Sequence, residues 1–253
     1  MPVLSSIEAI ETFLDRITLH VDTDVRVVNK PYGLAVQKGT RTIEDLDSML
    51  RARAEACGER LRLVHRLDKE TSGCLVLAAT QEAARLLGRE IAQRRIVKTY
   101  WALVHGVPEP RNGTIRLPLI KAASPAGDRV RAALADEMDA AWPAVTHYEV
   151  LQVRLDRYAF VALTPETGRQ HQLRAHLAAI GHPIVGDAKY PPAGNTFTAK
   201  PDDPGAMLQL LAQRLTLRHP KGHMLSVAAP LPPHMRALLD KLGLSTRMAS
   251  GRA

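Results

Sequence analysis

At 253 residues, 45 % of them hydrophobic, the chain is long enough to bury a substantial core, which allows one domain or two small ones. Lys and Arg number 34 against 26 Asp and Glu, and the resulting +8 points to a polyanionic partner or to solubility alone. Two cysteines without metal-ligand spacing, and no window approaching the roughly 18 apolar residues of a membrane span, make a reduced, cytoplasmic protein the expectation.

The N-terminal MPVLSSIEAIETFLDRI lacks a basic start followed by an unbroken apolar run, so no export signal is expected. Ser6 ahead of Ile7, Ile10, Phe13, Leu14 and Ile17 predicts an N-capped amphipathic helix, an arm over residues 1–20. A short strand at 25–29 is broken by Lys30-Pro31, with turn chemistry at Tyr32-Gly33. Residues 74–79 read as a buried strand opened by Cys74, and 81–95 as a helix with Ala84, Leu87 and Ile91 on one face. In the strand expected at 98–104, alternation sends Tyr100 inward and Trp101 to the opposite face. Strands at 145–153 and 158–163, joined near Asp156, predict an antiparallel hairpin. Residues 170–180 then read as a helix stopped by Gly181 and Pro183. Segments 124–142 and 190–205 look like surface excursions. Strands and helices without regular alternation favour α+β over a doubly wound sheet.

Polar residues crowd against apolar structure in two places, HRLDKETSG at 65–73 and TGRQHQLRAH at 167–176. On general grounds His65 is a half-buried, hydrogen-bonded histidine before it is a catalyst. His171 and His176 stand five apart with no acid between them, which misses the same-face spacing of zinc ligands, so no metal is expected. Ser72 has no nucleophile elbow and reads as a turn residue. Asp68 reads equally as a capping or salt-bridging residue and as a catalyst. Arg169, at the start of the expected helix, meets the positive end of its dipole at a cost of ~0.3–1 kcal/mol. A carboxylate or phosphate matched to its planar fork of donors would compensate.

These two stretches, with VVNKPYGLAV at 27–36 and KTYWALVHG at 98–106, closely resemble the four ordered motifs of the RluA-type RNA pseudouridine synthases. The resemblance extends to 187 through LAAIGHPIVGD, and QRLTLRHP looks like a diverged closing segment with Leu210-Leu211-Ala212 where relatives carry Leu-His-Ala. It implies a largely antiparallel, mixed central sheet flanked by helices and loops, with an RNA-binding cleft, in one catalytic domain over 21–253. A separate N-terminal RNA-binding domain is not expected, because too few residues precede the first motif.

The same resemblance implies that Asp68 is the catalytic carboxylate, assisting release of uracil from its ribose so that the base can rejoin through carbon 5. Arg169 is then expected to pair with Asp68 and keep it ionised. Tyr100 would pack on the flipped uracil and help take the proton from carbon 5. Arg66 would fill the gap in the RNA stack, Leu173 would shape the pocket floor, and His65, Lys98 and Arg174 would border the RNA. The implied protein is a monomer without cofactor or metal, acting on a stem-loop uridine of ribosomal or transfer RNA. Two other readings are an idle RNA-binding or chaperone module, and a hydrolase pairing Asp68 with Glu70.

Overall fold

The computed structural model describes residues 6–39, 44–122, 129–192 and 203–245. The chain forms two compact units, Met1–Lys98 with Ala212–Pro230, and Thr99–Leu211 with Leu231–Ala253. In chain order it builds α1 (Ile7–Ile17), β1 (Thr18–Val21), β2 (Val25–Lys30), α2 (Leu46–Cys57), β3 (Arg62–Leu63), β4 (Ser72–Ala78) and α3 (Gln81–Ala92). Next come β5 (Val97–His105), β6 (Asn112–Ile115), β7 (Leu119–Ala122), β8 (Arg129–Ala132), β9 (Thr146–Arg154), β10 (Tyr158–Pro165) and α4 (Gln172–Ala179). The last elements are β11 (Leu210–Arg218), β12 (Met224–Ala228) and α5 (Pro233–Lys241). The architecture is α+β, as the patterning predicts.

In the first unit the strand order is β1-β2-β4-β11, with β3 on β4 and β12 on β11. β1 with β2, β2 with β4, β3 with β4 and β11 with β12 run antiparallel. All seven residues of β4 are buried, which is why its sequence is an apolar run without alternation. Ser72 and Gly73 belong to this strand, and not to the turn expected at Ser72. The φ of Gly73 is +112°, and a Cβ there would stand 2.2 Å from the Ala212 carbonyl oxygen, so only glycine lets β11 come this close.

Ser6 caps α1 by accepting the Ala9 N–H, and Ile10, Phe13 and Leu14 are buried. Asp15 and Glu11 tie the helix to Arg26 of β2 and Arg53 of α2. α3 ends at Ala92, three residues before its expected end, and Arg94 takes a positive φ of 56°.

In the second unit β5, β10, β9 and β6 lie side by side, and the pairs β5/β10, β10/β9 and β9/β6 are antiparallel. Leu155 and Asp156, both at positive φ, close the expected β9–β10 hairpin. β7 and β8 form a separate two-stranded sheet. Its Leu119 and Val130 pack with Ala144, Tyr190 and Ala175 of α4 into one buried cluster. The expected surface excursion at 124–142 therefore contains a strand, β8, and a 3-10 turn, Ala135–Ala140, while 124–128 fall outside the described residues.

Candidate active site

The HRLD segment follows β3 and runs into β4. β3 pairs only with Leu77 and Ala78, so the next donor along that edge, the Val76 N–H, needs another partner. His65 supplies it: its Nε2 accepts this N–H at 3.0 Å. Burial first, and then the charge of Lys98, push the His65 pKa down to about 3, so the ring is neutral and remains an acceptor at physiological pH. His65 thus braces the loop to the sheet. Arg66, the next residue, is exposed and its guanidinium has no protein partner among the described residues.

Asp68 is partly buried, and its carbonyl accepts the Thr71 N–H at 3.1 Å in a tight turn. The peptide after it is clamped. The Lys69 carbonyl accepts the Gly33 N–H at 2.9 Å and the Lys30 ammonium at 3.1 Å. Lys30 is 0 % exposed, and its remaining protons go to the carbonyls of Pro31 at 2.9 Å and Leu34 at 2.8 Å. Burial pushes its pKa down to about 7, opposed by the negative charges of Asp68 and Glu70. Three carbonyl acceptors call for three N–H donors, which only the ammonium form has.

Lys30 is the functional residue that sequence reasoning missed. In the sequence it marks the end of a strand; in the structure it occupies an inward position of β2 and cages its charge under the Asp68 loop. Lys98 is also largely buried, and burial lowers its pKa.

In the second unit Tyr100 of β5 stands opposite Leu163 of β10 and is buried. Trp101, on the other face, is equally buried at 9 % exposure and meets Phe160 edge-on at 5.5 Å, so the alternation did not separate their fates. Both faces of this strand are covered.

Arg169 is exposed and lies three residues before α4, whose start is later than expected because His171 adopts a left-handed φ of 50°. Its Nε donates to the Pro143 carbonyl at 3.2 Å, and the two terminal nitrogens have no partner among the described residues. The turn beneath it is organised by Gln172, buried at 4 %. The Gln172 Oε1 accepts the Thr167 hydroxyl at 2.7 Å and the Arg169 N–H at 3.1 Å. Its Nε2 donates to the Val145 carbonyl and to the Thr146 hydroxyl.

The network ends in His176, whose Nδ1 meets the Thr146 hydroxyl and whose Nε2 meets the Leu117 carbonyl, both at 2.9 Å. Burial lowers the His176 pKa and favours this neutral ring.

Leu173 is buried at 7 %, in α4. Arg174, expected beside the RNA, is 2 % exposed and grips Asp187 through two 2.7 Å bonds. It also lies over the Tyr190 ring, 5.5 Å from its centroid. A phosphate contact would have to break this buried pair, so Arg174 braces α4 against the loop at 187–190. His171 meets the Tyr190 hydroxyl at 3.2 Å.

Asp22, Asp24 and His219 form the one group among the described residues whose ligand atoms gather within 4.8 Å. There the Lys221 N–H donates to His219 Nδ1, which leaves the ring proton on Nε2, facing Asp22. The imidazole acts as a donor at this point, not as a ligand.

Each unit carries a braced loop on an antiparallel framework, one presenting an acid and the other a guanidinium. The profile of the RNA pseudouridylate synthase family matches residues 24–179, from β2 to the end of α4. The chain is 39 % identical over 217 residues to the dual-specificity RNA pseudouridine synthase RluA of Escherichia coli, covering 85 % of this chain and 92 % of that one. It is 32 % identical over 238 residues to tRNA pseudouridine synthase C of Yersinia pestis, with 90 % and 91 % covered. The solved structure of human RNA pseudouridylate synthase domain containing 4 superposes with a TM-score of 0.76 at 30 % identity, over 94 % of this chain and 97 % of that one. The chain belongs to the RNA pseudouridylate synthase family and is an RluA-type enzyme, an isomerase.

Proposed function

We propose that Asp68 carries the isomerisation of a stem-loop uridine, in large-subunit ribosomal RNA first and transfer RNA second. The observation behind this reading is the effort spent on one loop: Lys30, Gly33 and His65 all fix the segment that presents the partly exposed Asp68, with Glu70 two residues on. A dual-specificity relative and a tRNA-modifying relative support both RNA classes.

The reaction breaks the bond between N1 of uracil and C1′ of ribose and forms one from C5 to C1′. The proton on C5 is lost and N1 gains one, so atoms balance without a co-reactant. Asp68 assists departure of the base from C1′, which requires its carboxylate form. Tyr100 packs on the rotating uracil and assists proton removal from C5. Arg169 offers two unengaged terminal nitrogens to a phosphate or carboxylate. Arg66, exposed beside Asp68 in sequence, fills the stack that the flipped base has left, recovering part of a cost of a few kcal/mol. The enzyme works as a cytoplasmic monomer. No helix among the described residues is long and apolar enough to cross a membrane.

Asp68→Asn keeps the shape of the side chain and removes its charge. Tritium release from RNA labelled at carbon 5 of uridine is expected to fall by at least ~10⁴, with melting temperature and RNA affinity nearly unchanged. A rate within tenfold of wild type overturns the assignment and returns Glu70 to consideration.

A further inference from the structure

The chain holds two tryptophans. Trp101 is buried against Phe160, whereas Trp142 is 38 % exposed. Trp142 is not loosely held. Its N–H donates to the Leu119 carbonyl at 2.8 Å and its carbonyl accepts the Leu119 N–H at 2.9 Å, so the main chain is pinned to β7 from both sides. Pro143 follows with a fixed φ, and its carbonyl anchors Arg169 by the Nε alone. One dipeptide therefore carries a part-exposed indole and, through the Pro143 carbonyl, holds a guanidinium whose terminal nitrogens have no partner among the described residues.

At 38 % exposure Trp142 keeps more than a third of its surface in water and forgoes part of the burial such a side chain normally contributes, and among the described residues no indole hydrogen bond explains its position. A part-exposed ring, one residue from the carbonyl that anchors an unengaged planar cation, matches a nucleotide, with a π-face for the base and a fork of donors for the phosphate. An apolar peptide segment would satisfy Trp142, along with Leu134 and Met138, which are 61 % and 49 % exposed, but would leave Arg169 unmatched.

Charge orients the occupant. Glu137 is already held by Arg131 through both carboxylate oxygens. Asp136 and Asp139 remain exposed on the turn before Trp142. They repel phosphate from that side, so the base lies toward the turn and the phosphate toward Arg169.

We infer that Trp142 is a stacking platform for an unpaired RNA base flanking the isomerised uridine, with that nucleotide's phosphate on Arg169. The inference rests on the reading of Arg169 as a substrate-binding group. Stacking tolerates every base, so the platform adds affinity and register without adding a sequence requirement.

The test titrates the full-length protein with an octamer of uridylate and follows tryptophan emission. Wild type is expected to quench at saturation. Trp142→Phe should lose the quench while binding within about twofold of wild type, because phenylalanine still stacks. Trp142→Ala should bind about five- to a hundredfold more weakly, the loss of one stacked base, while melting as wild type does. Turnover, read separately by tritium release on a stem-loop RNA, should show the loss in KM and not in kcat. Unmoved wild-type emission at saturation, or equal binding by Trp142→Ala, overturns the platform. Quenching without turnover of that stem-loop upholds the platform and sinks the proposed choice of substrate RNA instead.

Discussion

The Asp68 loop is held from beneath by a buried ammonium, and the Arg169 turn by a buried amide. Lys30 gathers three carbonyls around one charge, while Gln172 links Thr167, Thr146 and two main-chain groups through neutral donors and acceptors. Both arrangements fix a loop that must present a polar group outward. They differ in what they respond to: a charge in a dry cage is sensitive to pH and to the charges near it, and an amide network is not. Asp68, whose ionised form the proposed reaction requires, belongs to the loop braced by this lysine, which titrates near 7.

Replacing each brace separates the two. Lys30→Met takes the ammonium donor from three carbonyls, of which that of Lys69 keeps the Gly33 N–H, and is expected to destabilise the protein by roughly 3 kcal/mol, read by urea denaturation. Its pH dependence is the sharper observation. Below about pH 7 Lys30 is charged in folded and unfolded chains alike. Between about 7 and the ordinary lysine value of 10.5, the unfolded chain keeps a proton that the folded chain has released. Unfolding then takes up a proton, so stability from this site rises with pH through that window, by on the order of 1 kcal/mol per unit. Wild type should therefore gain on Lys30→Met from pH 7 to 9, and a constant gap between them would show that Lys30 is not the titrating brace.

Gln172→Leu is expected to cost about 2 kcal/mol, with the same gap to wild type at every pH from 6 to 9, because no charge is involved. A gap that changes with pH would remove the contrast between the two loops. Arg169→Lys touches neither brace. Its melting temperature should match wild type, while turnover falls about tenfold or more because an ammonium lacks the planar fork. Normal turnover in that variant would mean that charge alone suffices at this position.

Local chemistry made some elements plain in the sequence. α1 has a capping serine and an apolar stripe, and the β9–β10 hairpin has two alternating runs around a turn. α2 was missed because its buried face includes Arg53, whose ion pairs with Glu11 and Glu59 come from outside the helix. Gly73 looked like turn chemistry because the approach of Ala212, 139 residues later, leaves no local trace. The motif residues were readable and their jobs less so. Arg174 is as cationic in sequence as Arg169, and only Asp187 and Tyr190 turn it into a buried brace. Lys30 was hidden for the converse reason, since nothing local reveals that three carbonyls will converge on it.

His65 brings the loop into the hydrogen-bond ladder of β4, and this makes one amide a reporter. The Val76 N–H sits in a fully buried strand, yet its acceptor is a side chain of the loop rather than a neighbouring strand. Its exchange with deuterated solvent is then governed by how often the loop lifts, while its neighbours in β4 wait for the sheet itself to open. A single slow-exchanging proton thus reads out the breathing of the segment that presents Asp68, with no label placed in the site.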